Sequence, residues 1–205
     1  MDAGAGSENL PLVLASASPR RREILESYGL RPVVIPAGVE ECLPAGSLFT
    51  PEETTMYLAE LKATAVFKSL DPAAWPRGCS ILGVDTIVYK GRVIEKPKDE
   101  MDALDILRSL ENASHDVISG VCIIRAVPLR GRLAAAEKFV FYDSTTVRFG
   151  IYSDEDILAY IRANPPYDKS GSYAIQSEWG RHVLEIDGDI ENVIGLPYKK
   201  LSAYL

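Results

Sequence analysis

Apolar positions along the chain alternate between blocks with the two-residue period of a strand and blocks with the three-to-four-residue period of a helix. The run at 12–15 reads as a strand, and Ser18 and Pro19 stand at the N-cap and first position of a helix that stops at Gly29. A second strand follows at 31–37, then an acidic turn at Glu40 and Glu41, which completes one βαβ unit. Thr50, Pro51 and Glu53 form a capping box opening a helix to about Leu70, with Leu58, Leu61 and Ala65 at core-face spacing. The nearly continuous apolar run 81–89 is a strand that turns at Lys90 and Gly91 into 92–95. Asp99 caps a helix with Leu104, Leu107 and Leu110 on one face, and 116–125 returns as a strand. The small and basic residues of 125–136 read as a surface hairpin loop, before a period-two strand at 139–149. Ser153 and Asp156 cap a further helix to Ala163, and Pro165 and Pro166 break the chain. A short strand at 183–186 and a mostly helical segment from 190 to 205, interrupted near Gly195 and Pro197, complete an α/β pattern.

Composition narrows the range of partners. The 205 residues carry 22 Lys and Arg against 29 Asp and Glu, a net charge of −7, so the chain as a whole repels a nucleic-acid backbone. Any phosphate it binds needs a local pocket. Cys42, Cys79 and Cys122 are odd in number and widely spaced, which argues against a disulfide framework and a zinc site and for a reduced, intracellular chain. Residues 1–9 show no basic region followed by an apolar core, and no apolar run approaches the ~20 residues of a membrane span. The expectation is a cytoplasmic protein with a flexible N-terminus at 1–11 and a single domain at 12–205.

The first helix holds the strongest electrostatic signal. Arg20, Arg21 and Arg22 occupy its first turn, where the partial positive charge and unpaired N–H groups favour acidic side chains by about 0.3–1 kcal/mol each. Cations placed against that gradient point to an anion, with phosphate the expected partner. Asp85 is the second signal, a carboxylate inside a run otherwise suited to a buried strand; such a group calls for a charged partner, a metal or a role as a base. Lys96 is held on extended backbone by Pro97, and Lys62 lies mid-helix beside Leu61, so both can join Arg20 and Arg21 around a triphosphate. The loop from Asp168 through Lys169 to Gln176 offers side-chain donors and acceptors on a flexible backbone. The Gln176 carboxamide can pair with a pyrimidine imide edge through two bonds. His115 and His182 lack ligand or triad spacing, and no P-loop or Rossmann glycine motif is present.

Taken in order, Ser16 to Arg21, Lys62, Gly83 to Val88, Glu95 to Pro97 and Asp168 to Gln176 resemble the Maf family of nucleoside triphosphate pyrophosphatases from about Leu12 to Leu205. The resemblance implies a twisted mixed sheet with flanking helices, two lobes around a central cleft, and hydrolysis between the α and β phosphates. It implies phosphate binding by Ser16, Arg20, Arg21, Lys62 and Lys96, with Asp85 as catalytic acid or base. Glu41, or its neighbour Glu40, resembles the acidic residue near the metal and water, so Asp85 and Glu41 would hold Mg²⁺ or Mn²⁺. Asp168, Lys169, Gly171, Tyr173, Ile175 and Gln176 resemble the branch acting on dTTP and UTP, with Arg20, Thr86 and Gln176 as specificity positions. Ser170, Ser172 and the Ser177, Glu178, Trp179 run depart from the family pattern, and 125–137 is longer than usual. A homodimer is implied by the same resemblance. Two rival readings remain open: a phosphatase releasing orthophosphate stepwise, and a non-enzymatic nucleotide or nucleic-acid binding regulator linked to cell division. A dehalogenase-type phosphatase would need a second Asp at position 87, which is Ile.

Overall fold

Apolar runs buried on both faces form the centre of the sheet that carries the whole arrangement, seen here in a computed structural model describing residues 10–205. The strands are β1 (Leu12–Leu14), β2 (Val33–Val34), β3 (Cys79–Tyr89), β4 (Val93–Ile94), β5 (Ser114–Leu129), β6 (Arg132–Phe149) and β7 (Val183–Asp187). They form one seven-stranded sheet in the order β2-β1-β3-β5-β6-β7, with β4 beside β3. The sheet is mixed: β1 runs parallel to β2 and β3, and the remaining pairs are antiparallel. Among the described residues six α-helices flank it: α1 (Pro19–Ser27), α2 (Pro51–Ser69), α3 (Glu100–Leu110), α4 (Asp154–Ala163), α5 (Ile190–Ile194) and α6 (Tyr198–Leu201). Among the described residues no helix is long and apolar enough to cross a membrane. The expected flexible N-terminus falls almost wholly on residues 1–9, outside the described residues.

Alternate residues of β3 face opposite layers. Leu82 and Val84 join Leu12, Leu14, Leu25, Leu196 and Leu201 beneath α1 and α6, whereas Ile81 packs with Val13, Ala59, Ala63 and Cys122 beneath α2. A third cluster, centred on Leu107, Phe149, Tyr160 and Trp179, is built on α3 and α4. The cleft lies between this cluster and the other two.

Three expectations change. Residues 125–136 are not a loop: β5 and β6 pair through most of this stretch, from Arg125↔Glu137 to Leu129↔Arg132, with an irregularity after Arg125. The chain reverses over Arg130 and Gly131, both at positive φ (51° and 78°), as a tight two-residue hairpin turn requires. Small and basic composition suggested a loop, but cross-strand pairing decides. The strand expected at 31–37 shrinks to Val33–Val34, an edge strand with exposed side chains. The core face of α2 is Thr55, Leu58, Ala59, Lys62, Ala63 and Val66, with Leu61 and Ala65 only partly buried. A charged residue therefore sits at a core position.

The close packing of α2 rests on missing side chains in the sheet. A Cβ on Gly83 would lie 2.2 Å from the Ala59 carbonyl oxygen, and one on Gly120 would lie 2.2 Å from the Thr55 carbonyl carbon. Gly120 is the β5 partner of Asp85. These glycines bring the helix near enough for Lys62 to reach the sheet.

Candidate active site

Asp85 and Thr86 are consecutive on β3, so they point to opposite faces of the sheet, and each finds a different cation. On the α2 face, the Lys62 ammonium lies 2.7 Å from Asp85 Oδ1 and 2.9 Å from Glu41 Oε2. Asp85 and Lys62 are both buried, at 6% and 9% exposure, so each charge depends on the other and on Glu41. The Glu41 side chain stays half exposed, and it is Glu41 rather than Glu40 that reaches Lys62. Lysine at this position had a readable signal. Once the helical stripe is set at 55, 58, 59, 62, 63 and 66, a lysine inside it stands out.

On the other face, Arg21 reaches across from α1. Its Nε donates to the Gly195 carbonyl (2.9 Å), Nη1 to Ser16 Oγ (2.9 Å) and the Val84 carbonyl (3.0 Å), and Nη2 to Thr86 Oγ1 (3.1 Å). Thr86 Oγ1 also lies 2.9 Å from Ser119 Oγ, its partner on β5. Ser119 and the Gly195 carbonyl were not singled out from the sequence. Ser119 is an unremarkable strand serine, and a carbonyl carries no side-chain signal. Four of the five Arg21 N–H donors are thus directed at protein atoms, and burial lowers its basicity while Asp85 opposes that effect. Ser18 occupies the N-cap, yet its side chain makes no capping bond; its N–H is taken by Ser16 Oγ. Arg22 points away from the cleft and pairs with Glu26 at 2.7 Å on the exposed side of the helix.

The remaining sequence-selected residues close the cavity. Arg20 Nη1 lies 3.4 Å from Asp168 Oδ2, and the Lys169 ammonium 2.5 Å from Asp168 Oδ1. Partial burial raises the Asp168 pKa, but the Lys169 and Arg20 cations outweigh it and hold the carboxyl below its ordinary value. Lys96 and Gln176 line the cavity, and among the described residues their side chains make no hydrogen bond or ion pair. The cavity, about 790 Å³, brings together Ser16, Arg20, Arg21, Glu41, Lys62, Asp85, Thr86, Lys96, Asp168, Lys169 and Gln176. Such a volume suits a nucleotide-sized ligand.

The 168–176 segment is less free than its composition implies. Gly171 and Ser172 turn at positive φ, the Tyr173 hydroxyl lies 2.8 Å from His115 Nε2, and the Ala174 N–H donates to the Tyr160 hydroxyl at 3.0 Å. His115 is buried, which pushes its pKa from 6.5 down to about 4, with the Lys90 charge adding to the shift. The folded chain therefore binds fewer protons than the unfolded chain between those values. Stability present above pH 6.5 is lost as the pH falls toward 4, by up to about 3 kcal/mol. Urea melts of the parent chain and His115→Phe at pH 7 and pH 4 should show the parent losing that much more; parallel losses would exclude the effect.

Residues 11–205 match the family described as Maf-like protein. The chain belongs to the Maf family. Among its relatives is a protein of Caldicellulosiruptor saccharolyticus named dTTP/UTP pyrophosphatase, 36% identical over 195 residues that cover 95% of this chain and 92% of that one. A protein of Exiguobacterium sibiricum with the same name is 38% identical over 196 residues, 95% of this chain and 91% of its own. A Bacillus cereus protein so named is also 38% identical, over 93% of this chain and 91% of its own. The Maf match spans every strand and helix that contributes to the cavity.

Proposed function

We propose that this chain hydrolyses dTTP and UTP between the α and β phosphorus atoms, releasing the nucleoside monophosphate and pyrophosphate. The observation that carries the reading is the Asp85, Lys62, Glu41 cluster facing the same cavity as Arg20 and Lys96. The near-full-length relatives named dTTP/UTP pyrophosphatase support the substrate class.

In this reading Asp85 accepts the proton of a water whose oxygen attacks the α phosphorus as the bond to the bridging oxygen breaks. Lys62 orients the Asp85 carboxylate and balances its charge. Arg20 and Lys96 neutralise the charge that builds on the departing pyrophosphate, and the unguarded first turn of α1 faces the same charge. Gln176 pairs with the imide edge of a pyrimidine. The donor set also fits a divalent cation. Asp85 and Glu41 are two carboxylates brought side by side by their shared contact with Lys62, and Mg²⁺ is usually held by one or two carboxylates together with substrate phosphates. Among the described residues no group of three or more His, Cys, Asp or Glu is placed to hold a metal ion, so phosphate oxygens would supply the other ligands. Mg²⁺ or Mn²⁺ held by Asp85 and Glu41 would neutralise phosphate charge when bound.

The test is a panel of nucleoside triphosphates with Mg²⁺ and Mn²⁺, scored for the first phosphorus product. Pyrophosphate should appear before orthophosphate, and dTTP and UTP should lead the panel. Orthophosphate first would replace the reading with a stepwise phosphatase. Equal rates on purines and pyrimidines would remove the role given to Gln176.

A further inference from the structure

Asn192 is fully buried and belongs to none of the groups that line the cavity. Its Nδ2 donates to the Val117 carbonyl on β5 at 2.9 Å and to Thr145 Oγ1 on β6 at 3.1 Å. Thr145 in turn donates to the Asp189 carbonyl and accepts from the Asp189 N–H, so both ends of the α5 entry are tied to the sheet. Three residues after Asn192, the helix ends at Gly195, whose φ of 128° only glycine adopts without strain. Its N–H closes on the Glu191 and Asn192 carbonyls at 3.0 Å, while its own carbonyl turns toward the cleft. That carbonyl accepts Arg21 Nε at 2.9 Å and lies 3.4 Å from Thr86 Oγ1.

We infer that Asn192 is a positioning residue for the nucleotide site, acting through the Gly195 carbonyl on the Arg21 guanidinium. A guanidinium is planar, so fixing Nε fixes the directions of its other donors. With Nε seated on Gly195, Nη1 is aimed at Ser16 and Nη2 at Thr86, both of which line the cavity. The sheet thus sets the Arg21 plane through one buried amide and one carbonyl. Loss of the Asn192 amide lets α5 drift, and the Ser16 and Thr86 hydroxyls lose their fixed partner although neither is altered. Gly195 offers a second way to disturb the same link. A Cβ there meets nothing closer than Arg21 Nε at 3.8 Å, so Gly195→Ala acts through the backbone direction rather than by crowding.

The inference rests on the pyrophosphatase reading for its ligand and its activity readout. The experiment is a double-mutant cycle of Asn192→Ala and Arg21→Ala, with kcat and KM for pyrophosphate release from dTTP and a melting curve for each protein. Asn192→Ala should lower kcat/KM by about 10- to 100-fold, the cost of a misplacement near 1 Å. In the Arg21→Ala background the same change should cost less than about twofold, because the group it positions is gone. Losses that multiply, or full activity in Asn192→Ala, would overturn the inference. Leu110→Ala, in the core between α3 and α4, is the control: it should melt earlier with kcat/KM unchanged. If Asn192→Ala does not fold, Gly195→Ala enters the cycle with the same expectations. A parent chain that releases no pyrophosphate would sink the functional reading alone; the cycle is then scored on the rise in melting temperature caused by dTTP, with the same criterion of non-additivity.

Discussion

Asp85→Asn should lower pyrophosphate release from dTTP by about 10²–10⁴-fold, the range expected when a general base is removed. The substitution keeps the shape of the side chain and leaves an oxygen that can accept from Lys62. Lys62 also retains Glu41 at 2.9 Å, so the buried ammonium is not stranded. The fold should therefore survive with a melting temperature lowered by no more than roughly 5 °C, the equivalent of about 1–2 kcal/mol in a chain of this size. Steady-state kinetics with melting curves on the same preparations separates the two effects. Normal turnover in the variant would deny Asp85 both the role of base and that of metal ligand. A collapse of stability without a specific loss of kcat would make Asp85 a structural partner of Lys62 only.

Gly120→Ala is the second substitution with a large expected effect, and it touches no ligand. The added Cβ would stand 2.2 Å from the Thr55 carbonyl carbon and 2.4 Å from the Met56 nitrogen, both backbone atoms of α2 that have no rotamer to escape into. Relief requires the helix to lift by about 1 Å, at a cost of roughly 3 kcal/mol, near the upper end for overpacked sites. The melting temperature should fall by about 10 °C. Because Gly120 lies beside Asp85 in the ladder, lifting α2 also draws Lys62 away from Asp85. Surviving protein should then show kcat/KM reduced by about 10²-fold. Parent-like melting and activity would mean that α2 has slack at this crossing.

Asp85 was visible in the sequence, whereas Gly120 carried no signal there because its role depends on the approach of α2. Asp85 stood out because a carboxylate in an apolar strand run is costly unless it is used. Its partner Lys62 stood out as a cation for a triphosphate, not as the counter-charge of Asp85. Lys62 read as a mid-helix charge because the apolar stripe was counted through Leu61 and Ala65, whereas packing against Gly83 and Gly120 selects the stripe through Leu58, Ala59 and Ala63. The β5–β6 hairpin shows a related effect at 125–136: its composition is that of a surface loop, and only pairing across the strands keeps it extended. The first-turn arginines show the same division. Helix electrostatics marked all three as out of place, the family resemblance set Arg20 and Arg21 apart from Arg22, and geometry puts Arg20 at the cavity wall, locks Arg21 among Ser16, Thr86 and Gly195, and pairs Arg22 with Glu26.

By itself the sequence determined the alternation of strands and helices, the caps at Thr50, Asp99 and Ser153, the anion signal at the first helix and the buried carboxylate, because each depends on residues close together in the chain. Tertiary structure decided which charges meet. Lys62, Asp85 and Glu41 come from three separate segments, and Arg21 joins Gly195 across 174 positions. Such contacts depend on helix rotation, strand register and the height of α2 above the sheet, which no local pattern encodes.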